Sequence, residues 1–309
     1  MSSITLLGPQ VRQPFLADVL RELRLTGTFA AVTAGWQERE GEIDELRAHI
    51  GAEVTDLGLY ARAEQVYAGD AELRLAARRR QARLAEMQEI YRVRLGHGKR
   101  AARELFERDG DPDVLRPARR QAIAALRRLD RAHLAGIRRV RAQFDAELRP
   151  LERPAVRATL AVLSREIAEA NAVFIAGGHV AVLLNRLRLF GGASLLQDKP
   201  VIAWSAGAMV ACESVVLFHD HPPQGAGNAE TFDEGLALAR GLIVFPHART
   251  RLRLHDATRI ALLARRFAPA RCVTLDEDSA LHFRAGRLAL HAHCWQLGRQ
   301  GVLSEVEAA

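Results

Sequence analysis

Short apolar runs that stop at a glycine or a polar turn alternate with amphipathic segments over most of this 309-residue chain. The first runs are ITLLG (4–8) and FAAVTAGW (29–36), and AEVTDLGLY (52–60) follows as a third. Between the first two, Phe15, Val19, Leu20 and Leu23 recur at helical spacing, and GEIDELRAHIG (41–51) reads as a helix stopped by Gly51. The pattern returns at 172–176, at 201–204, in GLIVFPHARTRLRLHD (241–256) and in ARCVTLDEDSALHF (270–283). Fully apolar strands alternating with helices predict a doubly wound, mostly parallel sheet of the α/β class. In such sheets ligands bind outside the carboxyl ends of the strands. Four polar clusters follow strands here, and they are expected to share that edge.

The alternation breaks between residues 61 and 157, where no strand is evident. AELRLAARRRQARLAEMQEIYRVRLG (71–96) reads as a long helix that Gly96 and Gly98 are expected to interrupt. DGDPD (109–113) is a turn, and a second long helix is expected after Pro117, with one apolar stripe from Ile123 to Leu148. The net charge of +7 is concentrated here: residues 60–157 hold 24 Lys and Arg against 14 Asp and Glu. The chain thus divides into an α/β domain (1–60 and 158–309) and a basic helical hairpin inserted at 61–157. The basic faces suit solvation, an acidic partner or self-association into a homo-oligomer. Apart from Tyr91 and Phe106 the segment lacks interleaved aromatics for base stacking, which argues against nucleic acid.

No apolar run approaches the ~20 residues of a membrane helix, and the N-terminus lacks the pattern of a secretion signal. Cys212, Cys272 and Cys294 are too few and too dispersed for a disulfide scaffold. A cytoplasmic protein without a membrane partner is expected. HDH (219–221) and HAHC (291–294) lack a second ligand set, and no phosphate loop of the Walker type is present. No metal and no cofactor are expected.

Chemistry concentrates in KPVIAWSAGAMVAC (199–212). Ser205 sits between a strand and the small residues Ala206, Gly207 and Ala208, which permit a sharp strand-to-helix turn. Such a turn lifts a hydroxyl out of the sheet, and the Ala206 N–H at the helix start can hold an oxyanion. The same serine is equally suited to cap the helix. Gly177-Gly178 ends the preceding strand, either as a tight turn or with the Gly178 N–H as a second oxyanion donor.

FIAGGHVAVLL (174–184), SAGAMV (205–210), GLIVFPHARTRLR (241–253) and LDEDSAL (275–281) together resemble peptidase family S51, the serine peptidases that include aspartyl dipeptidase and cyanophycinase. The resemblance spans 1–60 and roughly 158–290. It implies the flavodoxin-like fold of the class I glutamine amidotransferase-like group and a Ser–His–Glu arrangement: Ser205 as nucleophile, His247 as general base and Glu277 orienting the imidazole. A base in reach is what makes a serine hydroxyl nucleophilic near neutral pH. The resemblance also implies that Arg251 and Arg253 grip a substrate carboxylate, which the planar guanidinium fork suits. His179 takes a substrate-binding position usually held by Asn or Asp. Val180, Trp204 and Asp256 depart from the family pattern. The expected function is a serine hydrolase cleaving a peptide or amide bond in a small acidic, peptide-like substrate. The departures suggest an alternative, a catalytically inactive binding protein whose helical insertion mediates association.

Overall fold

A computed structural model describes residues 3–196, 198–218 and 228–307. The chain opens as β1 (Ile4–Leu7), α1 (Leu16–Glu22), β2 (Phe29–Val32), α2 (Asp44–Ile50) and β3 (Val54–Asp56). Gly51 ends α2 in the left-handed region, as its sequence position predicts. Four helices follow without a strand: α3 (Leu59–Gly69), α4 (Ala71–Glu107), α5 (Pro112–Leu148) and α6 (Pro154–Glu169). Alternation resumes with β4 (Ala172–Ile175), α7 (Val180–Leu189), α8 (Ala193–Leu196), β5 (Val201–Trp204) and α9 (Ala206–Ala211). The remainder comprises β6 (Ser214–Leu217), β7 (Glu230–Glu234), β8 (Leu242–Pro246), α10 (Ala248–Arg251), α11 (Ala257–Phe267), β9 (Arg271–Leu275), β10 (Ala280–Arg284), β11 (Arg287–Ala292), β12 (Trp295–Leu297) and β13 (Leu303–Glu305).

The central sheet runs β11-β10-β1-β5-β4-β2-β3 among the described residues. Its β1-β5-β4-β2-β3 portion is parallel, and β10 and β11 add antiparallel strands at one edge. Alternate residues of each parallel strand feed cores on opposite faces. Leu6, Ala30, Val173 and Ala203 join one, and Leu7, Ala31, Phe174 and Trp204 the other. Both faces are covered by helices, so the strands are apolar throughout rather than alternating. This is the doubly wound α/β class expected from the alternation, of the flavodoxin-like kind that the family resemblance implies.

The strands split in a way that the pattern alone does not reveal. β8 and β9 pair in parallel but belong to a second sheet, ordered β13-β12-β9-β8. The outer edge of β1 is taken by β10, so β8 and β9 find partners elsewhere. A third, two-stranded sheet joins β6 and β7.

In the helical segment, two details differ from expectation. α4 runs unbroken through Gly96 and Gly98, because these glycines serve packing: a Cβ at Gly98 would lie 3.0 Å from Leu126 Cδ2 on α5. α5 starts at Pro112 rather than after Pro117; Asp111 caps it by accepting the Asp113 N–H at 2.8 Å. The α4–α5 hairpin is not a free arm. Tyr91, Leu95, Ile123, Leu126 and Leu129 form a core with Leu262 of α11. Arg266 of α11, 4% exposed, makes two 2.7 Å bonds to the Asp130 carboxylate and one to the Tyr91 hydroxyl.

Candidate active site

The sheet edge is assembled around Leu7 and Gly8. In the register of the parallel strands Leu7 faces Trp204, so the next residues, Gly8 and Ser205, leave neighbouring strands together. The Ser205 N–H donates to the Leu7 carbonyl at 3.2 Å. On its other side Gly8 abuts the Asp276 carbonyl so closely that a Cβ has no room, and its N–H donates to Ser279 O at 2.9 Å. Pro246 faces Leu275 across β8 and β9, and the His247 N–H donates to Leu275 O at 3.0 Å. Gly8 therefore bridges the two sheets: the Ser205 bend is tied to the end of β1 through Leu7, the 276–279 turn through Gly8, and the His247 turn is joined to this pair through Leu275.

Ser205 has φ 52° and ψ −117°, a region that non-glycine residues seldom occupy. Its side chain makes no capping hydrogen bond to α9, so the helix-cap role open in the sequence is not taken. Close packing holds the bend. A Cβ on Gly177 would lie 3.1 Å from Ser205 Cβ and 3.5 Å from its Oγ, and one on Gly207 would strike the Ile175 carbonyl. Gly178, at φ 106°, is pressed against Gly35, whose carbonyl accepts the His179 N–H at 2.7 Å. Among the described residues, the N–H groups of Gly178 and Ala206 donate to no protein acceptor.

His247, half-buried, adopts a left-handed conformation (φ 57°, ψ 35°) that turns the chain from β8 into α10. Its carbonyl accepts the Arg251 N–H at 2.9 Å. Glu277 is half-buried next to Asp276, which is 6% exposed. Burial raises the Asp276 carboxyl above its ordinary pKa, and the Arg249 N–H, 2.9 Å from Oδ1, opposes that rise. Asp276 thus pins the turn after β9 to α10. Arg251 and Arg253 are both exposed just beyond His247. Partial burial of the Arg251 guanidinium lowers its pKa.

His179 is exposed at the start of α7, and its Nδ1 accepts the Val182 N–H at 3.3 Å, capping the helix. The residues that depart from the family pattern have structural work. Val180 packs against the main core, and Trp204 is buried with its ring 6.1 Å from Phe174. Asp256 caps α11 through the Arg259 N–H at 2.9 Å and pairs with Arg103 of α4 at 2.8 Å. One residue near the site was not singled out from sequence. Gln37, on the loop after β2 beside Gly35, has φ 59° and ψ −120°, nearly the strained geometry of Ser205. Only the neighbouring turn residues of AGWQERE hinted at it.

All three cysteines are buried and free, and burial pushes each thiol up to about 12, far from thiolate chemistry at neutral pH. Among the described residues no group of three or more His, Cys, Asp and Glu is placed to hold a metal; His219 and His221 lie outside them. No described helix is long and apolar enough to cross a membrane.

A doubly wound α/β protein with a strained serine on a strand-to-helix bend is the class that fold and site define. The sequence profile of peptidase family S51 matches residues 124–291, more than half of the chain, and the chain belongs to that family. A structure described as a putative peptidase E protein from Listeria monocytogenes EGD-e aligns with 94% of this chain and 98% of its own, at 11% identity and a TM-score of 0.46. A peptidase from an acI-B1 Actinobacterium aligns with 97% of this chain and 91% of its own, at 14% identity and a TM-score of 0.47. No curated protein matches.

Proposed function

We propose that the protein is a serine peptidase acting on small, acidic, peptide-like substrates. Family membership supports the peptidase activity. The observation that supports the serine mechanism is the strained, uncapped Ser205, on a bend linked through Leu7 and Gly8 to the turn that holds Glu277. In this reading Ser205 Oγ attacks the scissile carbonyl while His247 takes its proton, and Glu277 stabilises the imidazolium that forms. The Gly178 and Ala206 N–H groups hold the oxyanion; among the described residues both stand without a protein acceptor, which supports that role. Collapse of the tetrahedral intermediate breaks the C–N bond, and His247 returns the proton to the departing amine. Water then cleaves the acyl-enzyme by the same route in reverse.

Arg251, Arg253 and His179 would engage the substrate carboxylate, Arg251 and Arg253 from the exposed turn that follows His247. Ser205→Ala or His247→Ala is expected to lower kcat by on the order of 10⁴- to 10⁶-fold. Arg251→Gln is expected to raise KM for an acidic dipeptide about 10- to 100-fold with a smaller change in kcat. The test is turnover of a panel of Asp-X and isoaspartyl dipeptides together with labelling by a fluorophosphonate. Absence of turnover and of Ser205-dependent labelling in folded protein would leave the alternative, a binding protein that has kept the fold without the activity.

A further inference from the structure

The basic hairpin borders a cleft whose lining includes none of the residues proposed for the peptidase chemistry. This cleft, of about 680 Å³, opens where the end of α4 and the start of α5 meet α11 and the 299–300 turn. Six arginines line it (Arg116, Arg119, Arg120, Arg127, Arg265 and Arg299) and no Asp or Glu does. Arg116 lies 4.0 Å from Asp113 at the surface, and the other five have no carboxylate partner among the described residues. Three of the guanidinium groups are held in place by backbone carbonyls. Arg119 donates to Leu105 O at 2.8 Å and Arg108 O at 2.9 Å, Arg127 to Arg265 O at 3.0 Å, and Arg265 to Arg299 O at 2.9 Å. Arg119 and Arg265 also lie 5.7 and 5.6 Å from the centre of the Phe106 ring.

Like charges gathered without counter-charges repel one another, and an anion relieves that repulsion. Guanidinium groups fixed beforehand lose little freedom when they bind one. The volume is that of a small-molecule pocket. Filling it with matching charge requires several negative groups close together. Adjacent phosphates supply these, whereas a peptide supplies at most one carboxylate per side chain. We infer that this cleft binds a chain of closely spaced phosphates, as in a polyphosphate, a nucleoside triphosphate or a nucleic-acid backbone. The inference is independent of the chemistry at Ser205.

Calorimetric titration of the full chain with tripolyphosphate, ATP and a short single-stranded oligonucleotide tests it. One tripolyphosphate is expected to bind per chain, more weakly as salt rises. Combined Arg116→Gln, Arg120→Gln and Arg299→Gln substitutions, all at exposed positions, are expected to weaken binding about tenfold or more. Arg78→Gln, Arg79→Gln and Arg83→Gln remove the same charge near the other end of the hairpin, and should change binding less than about threefold. Equal binding of ATP and tripolyphosphate supports recognition of the phosphate chain alone, and tighter ATP binding supports an additional hold on the nucleoside. Oligonucleotide binding lost only in the cleft variant, alongside binding of the small anions, identifies nucleic-acid phosphates as a source. Failure of both small anions to bind at low salt, or equal weakening by the two sets of substitutions, overturns the inference.

Discussion

Gly207 shows how narrowly the serine bend is built. A side chain there would meet the Ile175 carbonyl, so Gly207→Ala is expected to cost about 1–3 kcal/mol in urea denaturation and to displace Ser205. Gly178→Ala meets the Gly35 carbonyl and a positive φ besides, and the same measurement should show a loss of at least that size. A second residue-scale expectation concerns His133, 7% exposed and stacked on Tyr91 with ring centres 4.1 Å apart. Burial depresses its pKa below the ordinary 6.5, partly opposed by Asp130. Below about 6.5 the unfolded chain binds more protons at this site than the folded one, so folding is weakened as pH falls. His282, buried against the Thr5 hydroxyl, acts in the same direction. Stability measured from pH 7 down to pH 5 should therefore decline, and His133→Gln should flatten part of the slope. An unchanged slope would mean that His133 takes up its proton without a folding penalty.

At the scale of elements, one buried polar network stands out among the apolar contacts and surface ion pairs that tie the hairpin to the sheet domain. Arg266, Asp130 and Tyr91 form a closed buried network across α11, α5 and α4, and the Tyr91 oxygen accepts the Thr231 N–H of β7 at 3.0 Å. Removing one member of a buried pair strands the other charge. Asp130→Leu or Arg266→Met alone is thus expected to cost about 3–5 kcal/mol, and the double variant less than the sum. Denaturation of the three variants checks this; additive losses would mean that the pair is not coupled. Asp130 and His133 lie outside the apolar stripe read from the sequence, because nothing in a helical repeat says which further residues α4 and α11 will cover. The strands β1, β2, β4 and β5 were legible because each is an apolar run closed by a polar turn.

For the whole molecule, we propose that residues 1–60 with 158–309 form the α/β domain and 61–157 an insertion that folds only against it. Leu73 and Phe144 of the hairpin lie in the main core together with strand residues of the central sheet. Thermal unfolding followed by helical signal and by tryptophan fluorescence is then expected to give one coincident transition, since Trp36 and Trp204 report the sheet domain and α4 and α5 carry much of the helix. Two separated transitions would make the hairpin an autonomous domain.

By itself the sequence determined the α/β class and the length and basic character of the helical segment, and it nominated the turn residues proposed to carry the chemistry. These follow from local patterns: apolar runs, helical spacing, and turns closed by glycine or small residues. Only the tertiary structure decided that β8 and β9 leave the central sheet, that Gly8 joins the two sheets at the candidate site, and that Gln37 bends like Ser205. It also decided which arginines are neutralised in the core and which line an open cleft. Strand partners and counter-charges come from residues far apart in the chain, and no local pattern specifies which distant backbone edge or carboxylate will arrive beside them.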